Sequence, residues 1–268
     1  MKLFFRKMGE GPPVIILHGL YGSSDNWITI AKTLSDSYTL YIPDQRNHGK
    51  SPHSSRHDYT EMTADLEELV MENISGKFVI IGHSMGGKVA INFTFHHPER
   101  IASLIVADIS PFRRYPDDLA IVESHEKILK TLLFTDISSA ASRKEAEKMV
   151  MEKILDKKVA GFLLKNISRD KTGKFKWSIN APALYNNIEK LMSGLVIPDE
   201  VTGGITGFPV LFIRGGESEY LPDSHKTDIS KLFPAAEFIT IPETGHWLHA
   251  DKPSEFVQIV RDFLSGTY

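Results

Sequence analysis

The chain has 268 residues, of which 41% are hydrophobic, and its formal net charge at pH 7 is −3. This length and composition predict one large domain, or a domain with an insertion, and the scattered basic residues do not predict a nucleic-acid surface. Because the sequence has no cysteine, disulfides, cysteine nucleophiles and thiolate metal ligands are excluded.

Strand and helix patterns alternate in the first part of the chain. The predicted strands are 14–17, 38–42, 78–81 and 104–107. The predicted helices are 24–34, 60–74 and 85–97. Continuously apolar strands that alternate with helices are typical of a parallel sheet covered on both faces. We therefore predict an α/β fold with a mostly parallel central sheet and helices on both faces.

Helical patterns replace this alternation after residue 111. The segments with helical spacing are 119–134, 142–155, 158–167 and 182–192, and no convincing strand lies between Phe112 and Gly204. The sheet pattern resumes with strands at 209–213 and 237–241 and a closing helix at 256–264. We predict a core domain of residues 1–111 and 205–268 and an inserted helical cap of residues 112–204. The insertion follows the carboxyl end of a strand, where open α/β sheets have their active sites.

Residues 82–87 read Gly-His-Ser-Met-Gly-Gly and directly follow the strand predicted at 78–81. A strand, a G-x-S-x-G turn and a helix in this order predict a nucleophile elbow, in which the serine stands above the strand end. Gly82 and Gly86 leave the space that so tight a turn needs. We therefore predict that Ser84 is a catalytic nucleophile rather than part of an ordinary glycine-rich turn.

A serine hydroxyl needs a base within hydrogen-bond distance. His246 follows the last predicted strand and is expected at the same sheet edge as Ser84, so it is the candidate base. The candidate oxyanion donors are the backbone N–H groups of Met85, directly after the nucleophile, and of Leu20, in a glycine-rich loop after the first long strand. The sequence has no H-E-x-x-H motif, and acyl transfer through a serine requires no metal ion or organic cofactor. We therefore expect neither a metal nor a cofactor.

Four motifs together resemble the α/β-hydrolase superfamily over nearly the full length of the chain. They are His18-Gly19, the segment 44–51, the elbow at 82–87 and Gly245-His246. The pattern D-x-R-N-H-G-x-S at 44–51, with the later Asp-Ile-Ser-Pro that begins at Asp108, is similar to the YbfF-type esterase branch. The resemblance implies hydrolysis of carboxylic esters and, as an open alternative, of acyl-CoA thioesters.

The acid that would orient His246 is less obvious. Most members of the superfamily have an aspartate in a G-x-x-D-x-x-x-P loop, and matching Gly215 and Pro222 places Ser218 at that position. The resemblance to the YbfF-type branch implies that Asp108, after the strand that follows the elbow helix, is the acid, with Ser218 as a supporting hydrogen-bond donor. The alternatives are carboxylates near Ser218, namely Glu219 and Glu217.

The identity of the substrate is not encoded in a readable motif. Tyr21, Tyr115 and Trp247 are candidates to line an acyl pocket, although each could instead pack in the core or the cap. The same fold also carries C–C bond hydrolases, lyases and peptidases, and a protein that binds a small ligand without turning it over is the alternative outside enzymes.

The sequence also supports predictions about the localisation and the partners of the protein. No segment is long and apolar enough to predict a membrane span, and Arg6 interrupts the short apolar run at the N-terminus, which does not predict a signal peptide. We expect a cytoplasmic monomer or homodimer that binds a small-molecule acyl ester or acyl-CoA and has no integral membrane segment.

Overall fold

The computed structural model describes residues 1–112, 118–201 and 203–266. The strands are β1 (Phe5–Met8), β2 (Pro13–Leu17), β3 (Thr39–Pro43), β4 (Phe78–His83), β5 (Ile101–Ala107), β6 (Ile167–Arg169), β7 (Phe175–Trp177), β8 (Val210–Gly215) and β9 (Ala236–Ile241). The helices are α1 (Ile28–Leu34), α2 (Tyr59–Asn73), α3 (Met85–His96), α4 (Asp118–Phe134), α5 (Arg143–Met151), α6 (Lys157–Leu164), α7 (Ala181–Asn186), α8 (Ile188–Met192), α9 (Lys226–Leu232), α10 (Leu248–Asp251) and α11 (Pro253–Leu264).

The central sheet of the described chain has seven strands in the order β1-β3-β2-β4-β5-β8-β9. All neighbouring pairs are parallel except β1 with β3, which confirms the predicted mostly parallel sheet. The edge strand β1 was not predicted, because its four residues Phe-Arg-Lys-Met form no continuous apolar run and are only partly buried. A charged, short strand is typical of a sheet edge that does not attract another chain.

Helices cover both faces of this sheet, as the apolar strands predict. Successive side chains of a strand point to opposite faces. Ile15 and Ile80 therefore pack in the cluster that includes α2 and α3, whereas Ile16 and Ile81 pack in the cluster that includes α1 and α11. The helix predicted at 24–34 begins with one turn of 3-10 helix before α1 starts at Ile28.

The segment between β5 and β8 is helical but also contains a small hairpin. Its strands β6 and β7 pair antiparallel, so the prediction that no strand lies between Phe112 and Gly204 is wrong. Each strand has only three residues, which is too short to show a period of two, and the turn between them uses Gly173 at φ 86°. The helix predicted at 158–167 accordingly ends at Leu164.

None of the helices in the described ranges combines the length and the apolar character that crossing a bilayer requires.

Candidate active site

Ser84 lies in a strained turn between β4 and α3. Its backbone has φ 53° and ψ −121°. Residues other than glycine rarely adopt a positive φ. The two glycines of the motif are required by close packing: a Cβ on Gly82 would lie 2.3 Å from the carbonyl oxygen of Gly86, and one on Gly86 would lie 2.5 Å from that of Leu17. The turn therefore presents the serine hydroxyl at the carboxyl edge of the sheet.

A continuous chain of hydrogen bonds joins Ser84 to His246 and Asp108. His246 lies in the loop between β9 and α10, and its Nε2 is 2.9 Å from Ser84 Oγ. Its Nδ1 is 2.7 Å from Oδ2 of Asp108, which directly follows β5. Three loops at the carboxyl ends of parallel strands thus bring together the predicted nucleophile, base and acid.

Asp108 is fully buried and makes further hydrogen bonds. Its Oδ1 accepts the backbone N–H of Gly215 at 3.0 Å, and its Oδ2 also accepts the hydroxyl of Ser218. Glu217 and Glu219 of the same loop are exposed. Ser218 therefore stands where an aspartate was expected from the superfamily pattern and binds the carboxylate that comes from the neighbouring strand.

The loop that contains Leu20 packs directly on the elbow. A Cβ on Gly19 would lie 2.7 Å from His83 Nδ1 and 3.1 Å from Ser84 Cβ, so only glycine permits this approach. In the described chain, neither the N–H of Leu20 nor that of Met85 donates to a backbone carbonyl. Both residues line a cavity that also exposes Ser84. The assignment of these two amides as oxyanion donors stays a prediction.

Two buried histidines, His18 and His48, accept backbone N–H groups in and next to the Leu20 loop. Nε2 of His48 accepts the N–H of Tyr21 at 3.2 Å, and Nε2 of His18 accepts the N–H of Gln45 at 2.9 Å. Burial lowers the pKa of both histidines, which keeps each ring neutral and able to accept. The motif at 44–51 therefore supports the loop that carries Leu20 through His48, a role that the sequence pattern did not indicate.

Two further histidines, His83 and His249, lie near His246. Nε2 of His83 is 2.8 Å from the carbonyl oxygen of His246, to which it donates. His249 stacks on Trp27, with ring centroids 4.3 Å apart. Burial lowers the pKa of His83 well below its usual value and that of His249 to about 3. These rings are neutral packing elements at pH 7.

The buried neutral histidines predict a loss of stability in mild acid. Burial holds the pKa of His57 and His249 at about 3, against about 6.5 for an unfolded chain. Below pH 6.5 the unfolded chain binds protons that the native state does not, so the free energy of unfolding falls as the pH drops from about 6.5 towards 3. Urea unfolding at several pH values measures this slope.

Matched variants separate the contribution of one buried ring. His249→Phe keeps an aromatic ring against Trp27 and removes an Nδ1 that has no partner among the described residues. We expect a shallower slope for His249→Phe and an unchanged slope for His96→Gln, because His96 is exposed. Equal slopes in all three proteins would contradict the assignment.

Two cavities meet at Ser84. The Met85 cavity is mainly apolar and is lined by Leu20, Met85, Ile109, Phe112, Leu191 and Met192, among others. The Trp247 cavity is lined by Tyr21, Phe162, Leu163, Tyr220, His246 and Trp247, among others. His125 of α4 lines both.

Of the predicted pocket residues, Tyr21 and Trp247 line the Trp247 cavity, whereas Tyr115 lies outside the described residues. The sequence reasoning missed His125 and Tyr220, because neither belongs to a motif with a recognisable spacing. In the described ranges, no group of three or more histidine and carboxylate side chains is arranged to hold a metal ion.

Comparisons with known proteins show the family to which the chain is similar. Residues 12–253 match the family described as the alpha/beta hydrolase fold. The sn-1-specific diacylglycerol lipase ABHD11 of Danio rerio is 35% identical over 264 residues, which cover 97% of this chain and 80% of that protein. Esterase YbfF of Escherichia coli is 30% identical, and the match covers 94% of this chain and 93% of that protein.

A solved structure described as a marine microorganism esterase is similar over nearly the whole chain. It has a TM-score of 0.92 and 44% sequence identity, and the match covers 98% of this chain and 99% of the other.

Proposed function

The chain belongs to the alpha/beta-hydrolase family, and from this premise we propose that it is a serine hydrolase that cleaves carboxylic esters through an acyl-enzyme on Ser84. The observation that carries the proposal is the unbroken hydrogen-bond chain from Ser84 Oγ through His246 to the buried carboxylate of Asp108. The relatives with esterase and lipase names support ester hydrolysis as the class of reaction.

The first half of the reaction forms the acyl-enzyme. Ser84 Oγ attacks the ester carbonyl while Nε2 of His246 takes its proton, and the buried carboxylate of Asp108 stabilises the imidazolium that results. The N–H groups of Leu20 and Met85 bind the oxyanion. His246 then gives its proton to the leaving alcohol.

The second half releases the acid. A water molecule enters where the alcohol has left, His246 takes one of its protons, and the hydroxide attacks the acyl carbonyl. Collapse of the tetrahedral intermediate breaks the bond to Ser84 Oγ, which regains its proton from His246. The products are the acid and the alcohol, and each turnover consumes one ester and one water molecule.

The position of His246, which donates the proton, indicates which cavity binds the leaving alcohol and which binds the acyl chain. The leaving alcohol must lie next to His246 Nε2, and His246 lines the Trp247 cavity. The acyl chain then occupies the Met85 cavity, whose apolar walls suit a hydrocarbon chain.

Residues 112–204 act as a cap over the site in this proposal. The described part of the segment supplies Leu191 and Met192 to the wall of the Met85 cavity and Phe162 and Leu163 to the wall of the Trp247 cavity. Asn166 Nδ2 also donates to the carbonyl of Tyr21 at 2.8 Å, which ties the cap to the loop that carries Leu20. The cap therefore limits the size of the substrate on both sides of Ser84.

The walls of the Trp247 cavity favour an alcohol over coenzyme A as the leaving group. The described residues that line it include no lysine or arginine, and the phosphates of coenzyme A bind best to such cations. We expect kcat/KM for acetyl, butyryl and octanoyl esters to exceed that for the matching CoA thioesters by at least about tenfold, or about 1.4 kcal/mol. Steady-state assays of the two matched series measure the ratio.

The same assays test the competing functions. A preference for the thioester series would overturn the assignment of an alcohol leaving group while keeping the serine mechanism. No turnover of either series would contradict ester hydrolysis and would favour a C–C bond hydrolase, lyase, peptidase or binding protein on this fold.

A further inference from the structure

The ring of Tyr220 lies against the imidazole of His246. Their centroids are 3.7 Å apart and their planes differ by 20°. The backbone of Tyr220 is fixed on both sides, because its N–H donates to Ser218 Oγ at 3.3 Å and its carbonyl accepts the N–H of Ser110 at 3.1 Å. The loop that binds Asp108 through Ser218 therefore also places an aromatic face against His246.

The hydroxyl end of Tyr220 meets the cap. Nε2 of His125, on α4, is 3.2 Å from the Tyr220 hydroxyl, and its Nδ1 is 3.2 Å from the hydroxyl of Tyr21. Burial lowers the pKa of His125 to about 4, so the ring is neutral at pH 7 and has one donor and one acceptor nitrogen. A neutral imidazole can thus bridge the two hydroxyls and hold both tyrosines.

We propose that Tyr220 is a positioning residue whose ring face stabilises the imidazolium form of His246, and that His125 of the cap holds Tyr220 in this position. The inference rests on the proposed function, in which His246 takes the proton of Ser84. The positive charge that then develops meets Asp108 at the ring edge and an aromatic face instead of water. Since an aromatic face attracts a cation, the stack favours the charged ring over the neutral one.

The other titratable neighbours of His246 are two neutral histidines and one aspartate that is paired with a lysine. The ring of His83 lies 4.7 Å from that of His246, and burial keeps His83 and His249 neutral by lowering the pKa of each. Asp251 accepts the N–H of Gly245 and forms an ion pair with Lys158 of the cap at 2.6 Å. Asp108 therefore supplies the charge at the ring edge, and Tyr220 supplies the contact at the ring face.

Two substitutions at Tyr220 distinguish the effect of the ring from the effect of its hydroxyl. Because the stack favours the protonated imidazole, Tyr220→Leu should lower the apparent pKa of His246. The acid limb of the kcat/KM profile should then move to lower pH by about half to one unit, and kcat should fall roughly tenfold. Tyr220→Phe keeps the ring face but lacks the hydroxyl that His125 holds, so its acid limb should lie closer to that of the wild type than the limb of Tyr220→Leu does.

A direct titration makes the result independent of turnover. In a Ser84→Ala background, NMR of the His246 ring should give a lower pKa with Tyr220→Leu than with Tyr220→Phe. Equal values, or a higher value with leucine, would overturn the inference. A wild type that hydrolysed no ester would instead contradict the proposed function, and the titration would still decide whether the stack acts on His246.

The role of His125 is tested by a double-mutant cycle. His125→Phe should lower kcat in the wild type by about threefold, because Tyr220 loses its hydroxyl partner. The same change should have a smaller effect on kcat in Tyr220→Phe, which has no hydroxyl for His125 to hold. Losses that multiply independently in the double variant would show that His125 does not act through Tyr220.

Discussion

Replacing Ser84 with alanine is expected to lower kcat for ester hydrolysis by roughly 10⁶-fold, which is the scale at which a nucleophilic serine contributes in a triad. The alanine has no Oγ, so no acyl-enzyme can form and His246 Nε2 loses its partner at 2.9 Å. Steady-state assays with a short-chain ester, and with enzyme concentrations high enough to detect residual turnover, measure the loss.

The fold should tolerate this change. Ser84 has φ 53°, and alanine meets the same backbone strain as serine at this position. We therefore expect a melting temperature within a few degrees of the wild type. A folded Ser84→Ala protein with more than about a hundredth of wild-type turnover would show that another group is the nucleophile.

Asp108→Asn should lower kcat by about 10⁴-fold with little change in KM. The carboxylate accepts from His246 Nδ1, from the N–H of Gly215 and from the hydroxyl of Ser218. An amide NH₂ in place of Oδ2 would donate to Nδ1 and turn the proton of the imidazole towards Ser84. In that tautomer His246 cannot take the proton of the serine.

Glu219→Gln is the matched control for the position of the acid. Glu219 lies in the loop next to Ser218 and was the alternative acid in the sequence, but its side chain is exposed. We expect kcat of Glu219→Gln within about twofold of the wild type, since exposed carboxylates interact weakly with their surroundings. The opposite pattern, with Asp108→Asn active and Glu219→Gln inactive, would move the acid to the loop after β8.

Long apolar patterns explain why the core of the fold could be predicted from the sequence. Strands such as β4 are apolar along their length because they are buried on both faces, and the turn after β4 needs glycine at fixed positions. The strands β1 and β6 lack such a signal. The first is a partly exposed edge, and the second has three residues and depends on a hairpin partner.

Each proposed catalytic residue follows a recognisable strand, and the resemblance to the YbfF-type branch implied Asp108 among the candidate acids. Ser84, Asp108 and His246 occupy the carboxyl ends of parallel strands, which the topology places at one edge. Tyr220 and His125 could not be found in this way, because their positions depend on how the loop after β8 and helix α4 pack together. Tertiary packing of this kind leaves no period or spacing in the sequence.

The most direct test of the account is to trap the acyl-enzyme. The wild type is mixed with a short-chain ester, quenched in acid during turnover, digested and mapped by mass spectrometry. The account predicts an acyl group on the peptide that contains Ser84, formed at a rate no slower than kcat and absent from Ser84→Ala. Sustained turnover with Ser84 unmodified and acylation at another residue would contradict it.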